Sequence, residues 1–333
     1  MPKVAVVILN WNGKGLLSTY LPSVLEHSSG AEVIVIDNAS SDGSVDLLKV
    51  SFPEVRVIQN PSNLGYAGGY NLGLAELKHD YFILLNSDVE VTPGWIQPII
   101  DRMEKTSAIG IVQPKILDAK ERSHFEYAGA CGGFLDRYAY PYCRGRLFDT
   151  LEKDEGQYDD PMEVHWASGA CLFIRSVLFN ELGGLDEDLF AHMEEIDLCW
   201  RARGKGHQVY CEPASVVFHQ GGATLDGHSP FKSYLNFRNN LIMLVKNDRS
   251  GRTGWLLFVR MLMDGLSVVR FVTQLRFRHA FAVLKAHLDF YRSIRKTLDK
   301  RTQLKGRSAP RSNFSVVVAY FIKAKRTFSE LPS

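Results

Sequence analysis

Four short apolar runs, separated by helical patterns, constrain this chain more than anything else in it. They are Val4-Ala5-Val6-Val7-Ile8-Leu9, Val33-Ile34-Val35-Ile36, Val55-Arg56-Val57-Ile58 and Tyr81-Phe82-Ile83-Leu84-Leu85. The first, second and fourth are continuous β-branched or aromatic runs that suit strands buried on both faces, and the third reads as a shorter strand. Leu16, Leu17, Leu21, Val24 and Leu25 follow the first run at helical spacing. Val45, Leu47 and Leu48 follow the second, behind Asp42 and Ser44, either of which can cap a helix. Such alternation predicts an α/β fold, a mostly parallel central sheet flanked by helices. In these sheets ligands bind beyond the carboxyl ends of the strands. Asn10 and Trp11, Asp37, and Asp88 all stand at such ends, so three polar clusters share one edge.

Further along, residues 118–161 are aromatic, glycine-containing and charged without clear periodicity, which predicts irregular hairpins and a loop over the site. A strand over 169–174, a helix over 194–203 and two short strands at 209–211 and 216–219 complete a first domain, 1–245. Residues 246–333 differ in charge. The first part holds 20 Lys/Arg and 32 Asp/Glu, the second 19 and 5. An acidic front suits a metal-using site and a basic, helical back suits an anionic surface. Trp255–Val272 is apolar except for Arg260, Asp264, Ser267 and Arg270, which share one arc of a helical wheel. That pattern predicts an in-plane or docked helix rather than a spanning one. Five cysteines without a Cys-x-x-Cys pair argue for a reducing compartment and against a disulfide framework or structural zinc. The strand pattern beginning at Val4 leaves no room for a secretory leader, so a cytoplasmic location is expected.

The acidic clusters carry the chemistry. Asp88, in Asn86-Ser87-Asp88, could hold Mg²⁺ or Mn²⁺, because phosphates and water complete the shell of such ions. The bland alternative is a turn-capping Asp, and Asn86 stands where a second acid would be. Glu194, Glu195 and Asp197 open a helix among apolar neighbours, where carboxylates gain raised pKa values suited to a general base; a solvated, dipole-stabilising first turn is the plain alternative. His219 ends an apolar strand and could complete a metal shell. Asp37 could bind a base or ribose. The glycines of Asn63-Leu64-Gly65-Tyr66-Ala67-Gly68-Gly69-Tyr70-Asn71 permit either a close diphosphate or tight packing. Neither a dinucleotide nor a P-loop signature is present. Trp166, Ser168 and Gly169 could stack on a sugar ring or simply fill the core.

Together these motifs resemble the family 2 inverting glycosyltransferases of the GT-A fold, particularly their rhamnosyltransferase- and galactofuranosyltransferase-like branch. The resemblance runs in order through 4–13, 35–44, 63–71, 85–88, 168–175, 183–190 and 194–201. It implies a nucleoside-diphosphate-sugar site from Asn10, Trp11, Asp37, Asn63 and Gly65, with Asn12, Gly68, Asn71, Ser87 and Asp88 on the same loops. It implies a metal on Asp88 and His219, and acceptor contacts from Trp166, Ser168, Gly169 and Asp197. Glu195 matches the second acid of the family's Glu-Asp pair, the catalytic base; with Glu at both positions, Glu194 and Glu195 are both candidates.

Many such enzymes extend lipid-linked glycans, so the expected acceptor is a saccharide, free or lipid-linked. The basic helical region then suggests peripheral attachment at the inner face of the cell membrane; a cap that only solvates its charges is the alternative. Nucleic acid is not an expected partner, since no recognised module appears. The rival functions are a nucleotidyltransferase, which would need a basic glycine-rich loop in place of Asn10-Trp11-Asn12-Gly13, and a non-catalytic carbohydrate-binding relative.

Overall fold

The computed structural model describes residues 2–221, 229–304 and 306–332. Its first part alternates as the apolar runs require: β1 (Val4–Asn10), α1 (Lys14–His27), β2 (Ala31–Asp37), α2 (Ser44–Ser51), β3 (Arg56–Gln59), α3 (Gly65–Leu74), β4 (Tyr81–Asn86), β5 (Val89–Val91), α4 (Gln97–Lys105) and β6 (Ile109–Asp118). Short strands follow: β7 (Gly133–Leu135), β8 (Pro141–Cys143), β9 (Arg146–Leu147), β10 (Thr150–Leu151) and β11 (Met162–Val164). Then come β12 (Cys171–Arg175), α5 (Ser176–Glu181), α6 (Glu194–Gly204) and β13 (Gln208–His219). The main sheet runs β11-β13-β6-β12-β4-β1-β2-β3, with β5 on β13. β4, β1, β2 and β3 are mutually parallel, and β12 inserts antiparallel between β4 and β6.

Side chains on alternate positions of β1 and β4 fill two cores, as the period of a strand dictates. Val6, Ile8, Ile83 and Leu85 pack with Leu17, Leu21, Trp95 and Ile99 on one face. Val7, Phe82 and Leu84 pack with Tyr70, Leu74, Phe179 and Leu198 on the other. Register then sets the site edge: Asn10 lies opposite Asp37, and Leu9 opposite Asn86. The two short strands expected at 209–219 are one strand, β13, which crosses Glu212-Pro213-Ala214-Ser215 through a shift in its pairing with β6.

Residues 118–161 hold a small separate sheet, β10-β9-β8-β7. The C-terminal part consists of α7 (Pro230–Asn247), α8 (Thr253–Thr273), α9 (Phe277–Gln303) and α10 (Val316–Phe321). Val316 and Tyr320 of α10 pack on Tyr142 and Leu147 of the small sheet, while Phe290 of α9 packs with Leu189, Leu241 and Ile242. Among the described residues no helix is long and apolar enough to cross a membrane.

Two of the charges in the α8 arc, Arg260 and Asp264, face inward, while Arg270 at the end of the helix is exposed. Arg260, 1% exposed, donates to the Asn240 Oδ1 (2.7 Å) and the Tyr138 carbonyl (3.0 Å) and lies over the Tyr140 ring. Asp264, fully buried, accepts from the Tyr140 hydroxyl and lies 3.1 Å from the His287 Nε2. The apolar stripe therefore faces out: Trp255 is 62% exposed and Leu266 71%, with Phe258 and Leu262 between them and Val269 beyond. Phe277, Phe281, Leu284 and Leu288 extend the exposed surface along α9.

Candidate active site

At the carboxyl edge of β1 and β2 the polar residues bind one another into a preformed cradle. The buried Asp37 carboxylate accepts from the Asn10 amide (3.0 Å) and the Ser40 backbone (2.9 Å). Asn12 accepts from the Ser41 backbone and its own N–H reaches the Ser40 hydroxyl. The fully buried Asn10 leaves its Oδ1 without a partner, an acceptor held ready in the cradle. Trp11 stands half exposed beside it. Asn38, absent from the expected set, ties the cradle to the next loop: its amide donates to Asn63 and Gly65 and accepts from Asn60.

The glycine loop packs closely against the segment that leads into the two glutamates. Gly65 has φ +71°, and any Cβ there would collide with Phe190. The Tyr66 and Ala67 N–H groups both donate to the Phe190 carbonyl, so the start of α3 is already capped. Gly68 lies against Leu64 and Glu187. The Asn71 amide donates to the Leu185 carbonyl (2.9 Å) and its oxygen accepts from the Leu185 backbone (2.8 Å). Gly65, Gly68 and Asn71 thus hold the 185–190 segment, as the tight-packing alternative expects.

That segment delivers the carboxylates under backbone strain. Phe190, His192 and Met193 have φ of 61°, 68° and 78°, a conformation side chains other than glycine rarely adopt, and strain of this kind clusters at functional sites. The buried Asn239 of α7 clamps the turn: its amide donates to the carbonyls of Leu189 (2.8 Å), Ala191 (2.9 Å) and His192 (2.7 Å). Glu194 and Glu195 follow at once. Glu194 is buried, and burial plus the neighbouring Glu195 charge push its carboxyl far up. Glu195 is only partly buried, and desolvation pushes it up to about 7. The Oε2 of each has no partner.

Asp88 and His219 meet on the same edge. The His219 Nε2 lies 3.1 Å from the Asp88 Oδ1 and 3.4 Å from the Asn86 amide, while its Nδ1 lies 3.2 Å from the Glu126 Oε1. Burial alone would depress the imidazole, but Glu126 and Asp88 outweigh it and raise it to about 10. Two donors 3.1 Å apart suit adjacent corners of an octahedral ion with bonds of about 2.1 Å. A carboxylate behind the other ring nitrogen is the usual support of a ligating histidine. Once a cation displaces the Nε2 proton, as metal binding requires, the residues present fit a divalent ion. Among the described residues no group of three such side chains surrounds an ion unaided, which leaves corners for phosphate and water. Glu126 gave no sequence signal because it sits in the aperiodic 118–161 segment.

Backbone links join the two acidic groups. The Asn86 N–H donates to the Ala170 carbonyl (3.0 Å). The adjoining Gly169 accepts from the Tyr66 hydroxyl (2.8 Å), and a Cβ on it would stand 3.7 Å from the Glu195 Cβ. Ser87 lies near Gly13 of the cradle. Other expected acceptor residues point elsewhere. Trp166 is buried with its indole N–H on the Phe134 carbonyl. Ser168 is buried between Gln113 and Ala128. Asp197 is fully enclosed by Arg201 (2.8 Å), Lys246 (2.7 Å) and Asn247 (2.6 Å), so it closes the core beneath the site.

The glycosyl transferase family 2 profile matches residues 5–181. The chain belongs to that family. Among its relatives, the N-acetylglucosaminyl-diphospho-decaprenol L-rhamnosyltransferase of Mycobacterium tuberculosis is 27% identical over 266 residues, 75% of this chain and 85% of the relative. Two solved structures share the fold. The S. aureus TarS 1–349 complex with UDP-GlcNAc has a TM-score of 0.58 at 14% identity, covering 91% of this chain and 84% of that one. The mannosyltransferase PcManGT from Pyrobaculum calidifontis, with GDP-Man and Mn²⁺, has a TM-score of 0.53 at 14% identity, covering 91% and 85%. This family 2 glycosyltransferase thus carries the GT-A architecture. Its profile match ends before the strained turn, the two glutamates, His219 and α7.

Proposed function

We propose that the protein is a metal-dependent inverting glycosyltransferase, moving a sugar from a UDP- or dTDP-linked donor, rhamnose being the leading candidate, to a saccharide hydroxyl of a lipid-linked acceptor. The observation that carries this is the pairing, along one sheet edge, of the Asp88–His219 donors with the partly buried Glu195 carboxylate. A divalent cation, Mg²⁺ or Mn²⁺, would be held by Asp88 and His219 and would offset charge on the departing nucleoside diphosphate. The Asn10–Asp37 cradle and Trp11 orient the nucleoside. Glu195, ionising near 7, accepts the proton of the attacking hydroxyl; Glu194, less accessible and held more strongly protonated, is the poorer base. The hydroxyl attacks the anomeric carbon opposite the leaving group, so the configuration inverts.

The lipid-linked acceptor is supported by the relative named for a diphospho-decaprenol substrate and by the outward apolar stripe of α8. A helix that buries Arg260 and Asp264 in the protein and exposes Trp255, Phe258, Leu262 and Leu266 suits attachment to the inner face of the membrane, with the basic excess of 246–333 meeting anionic lipid. Incubation with UDP- and dTDP-sugars, Mn²⁺ and lipid-linked saccharides should release nucleoside diphosphate, stop with EDTA and give the inverted linkage by NMR. Undiminished turnover in Glu195→Gln would reject the mechanism. Flotation with anionic vesicles should be lost in Phe258→Ser/Leu266→Ser.

A further inference from the structure

An open groove of about 460 Å³ lies between the first turns of α7 and α9, lined by Phe231, Tyr234, Phe277, Arg278, Phe281 and Lys285. Its walls are mostly apolar. Phe231 and Tyr234 stack with centroids 6.0 Å apart, and Phe281 is 68% exposed. Its lip is cationic: Arg278 and Lys285 stand seven residues apart on α9, two turns and hence the same side. Among the described residues neither has a carboxylate within ion-pair distance, and the Lys285 Nζ rests 4.9 Å over the Tyr234 ring.

Position links the groove to both ends of the proposed reaction. Phe281, Leu284 and Leu288 follow one another along the exposed stripe of α9, so the groove opens onto the surface proposed to meet lipid. At the other end, α7 rises 1.5 Å per residue, placing Tyr234 and Phe231 about 8 and 12 Å along the axis from Asn239. The Asn239 amide holds the His192 carbonyl, two residues before Glu194. The nearby Asp289 carboxylate is held by the Tyr234 hydroxyl (2.9 Å) and Arg292 (2.8 Å) and feels the Lys285 charge without forming an ion pair with it. An apolar slot with two cations at its lip suits a ligand that joins a long hydrocarbon chain to two negative charges. A phosphodiester lipid headgroup offers one charge per phosphate; a diphosphate diester on an isoprenoid offers two.

We infer that this groove seats the isoprenyl diphosphate of the acceptor, the chain against Phe231, Phe277 and Phe281 and the diphosphate on Arg278 and Lys285. The inference rests on the proposed transfer to a lipid-linked saccharide. The test is calorimetric titration of the full-length protein with farnesyl diphosphate, UDP and Mn²⁺ being present to fill the donor site. Farnesyl diphosphate should bind, with farnesol, inorganic pyrophosphate and dihexanoyl phosphatidylglycerol each weaker by about tenfold or more. Arg278→Glu/Lys285→Glu should weaken it by about tenfold or more while leaving UDP affinity and the melting temperature unchanged. Equal binding in the charge-reversed protein, equal binding of phosphatidylglycerol, or a dimer dispersed by Phe281→Asp would each overturn the assignment. A protein that turns over its donor while farnesyl diphosphate ignores the groove sinks this inference alone. One that neither binds nor turns over any donor sinks the transferase mechanism itself.

Discussion

Replacing Glu195 with Gln should separate catalysis from stability in opposite directions. The Glu195 Oε2 lacks a partner, and burial raises the carboxyl from 4.5 to about 7. Each pKa unit corresponds to about 1.4 kcal/mol of preference for the proton, so the displacement amounts to about 3 kcal/mol. The folded state holds this proton more tightly than the unfolded chain. Its stabilisation is complete below about pH 4.5 and is lost as pH rises through about 7, leaving above that an ionised carboxylate whose Oε2 has no partner. Glutamine carries no charge at any pH. Urea unfolding should therefore show Glu195→Gln no more stable than the parent near pH 5, but more stable by up to about 3 kcal/mol near pH 8.5. The same substitution should eliminate transfer, and the parent's kcat/KM should rise with pH through about 7. A variant less stable than the parent at pH 8.5 would show that Glu195 is a satisfied structural acid, and the assignment of the base would fail with it.

Other substitutions probe the supports of the site. Glu126→Gln should weaken Mn²⁺ binding about 10- to 100-fold by releasing the His219 ring, and His219→Ala more, both read by calorimetry without substrate. Asn239→Ala strips three buried carbonyls of their donor and should cost about 2–3 kcal/mol, with kcat falling as the 190–193 turn relaxes; an unchanged kcat would remove the turn from the mechanism. Lys246→Met leaves Asp186 and Asp197 facing each other across a buried space and should lower stability by about 3–5 kcal/mol in a thermal melt.

The parallel half of the sheet was legible because a strand buried on both faces needs an unbroken apolar run, and β1, β2 and β4 have one. Asn10, Asp37 and Asp88 followed from their places at the ends of those runs. What escaped depended on partners distant in the chain. Nothing local announces that Asn71 will hold Leu185, or that Gly65 makes room for Phe190; both contacts join segments more than a hundred residues apart. Asn239 sits in an ordinary helical pattern and Glu126 in none. The helical wheel of α8 separated its two faces correctly but could not say which one meets the protein. Tyr138, Tyr140 and Asn240 decide that, by offering polar partners to Arg260 and Asp264.

Ion pairs tie the C-terminal region to the segment that carries the two glutamates, which determines how its role can be tested. Lys296 and Lys300 of α9 pair with Asp188, Lys300 also reaches Asp186, and Lys246 of α7 binds Asp186 and Asp197. Asp186 and Asp188 lie in the segment that the glycine loop grips and that leads into Phe190 and Glu194. Deleting residues 250–333 would remove two of these three lysines and uncover Leu189, Leu241 and Ile242, which Phe290 covers. The partly buried Asp188 would lose both of its cations and the buried Asp186 one of two, which together with the uncovered apolar surface destabilises the segment, so the truncated chain should lose transfer activity whatever its affinity for lipid. Activity that survives the deletion would refute the coupling. Attachment is therefore tested by polar replacements on the outward stripe of α8. These leave Arg260, Asp264 and the lysine pairs intact, so a variant that still converts donor in solution but no longer floats with vesicles isolates the surface from the chemistry.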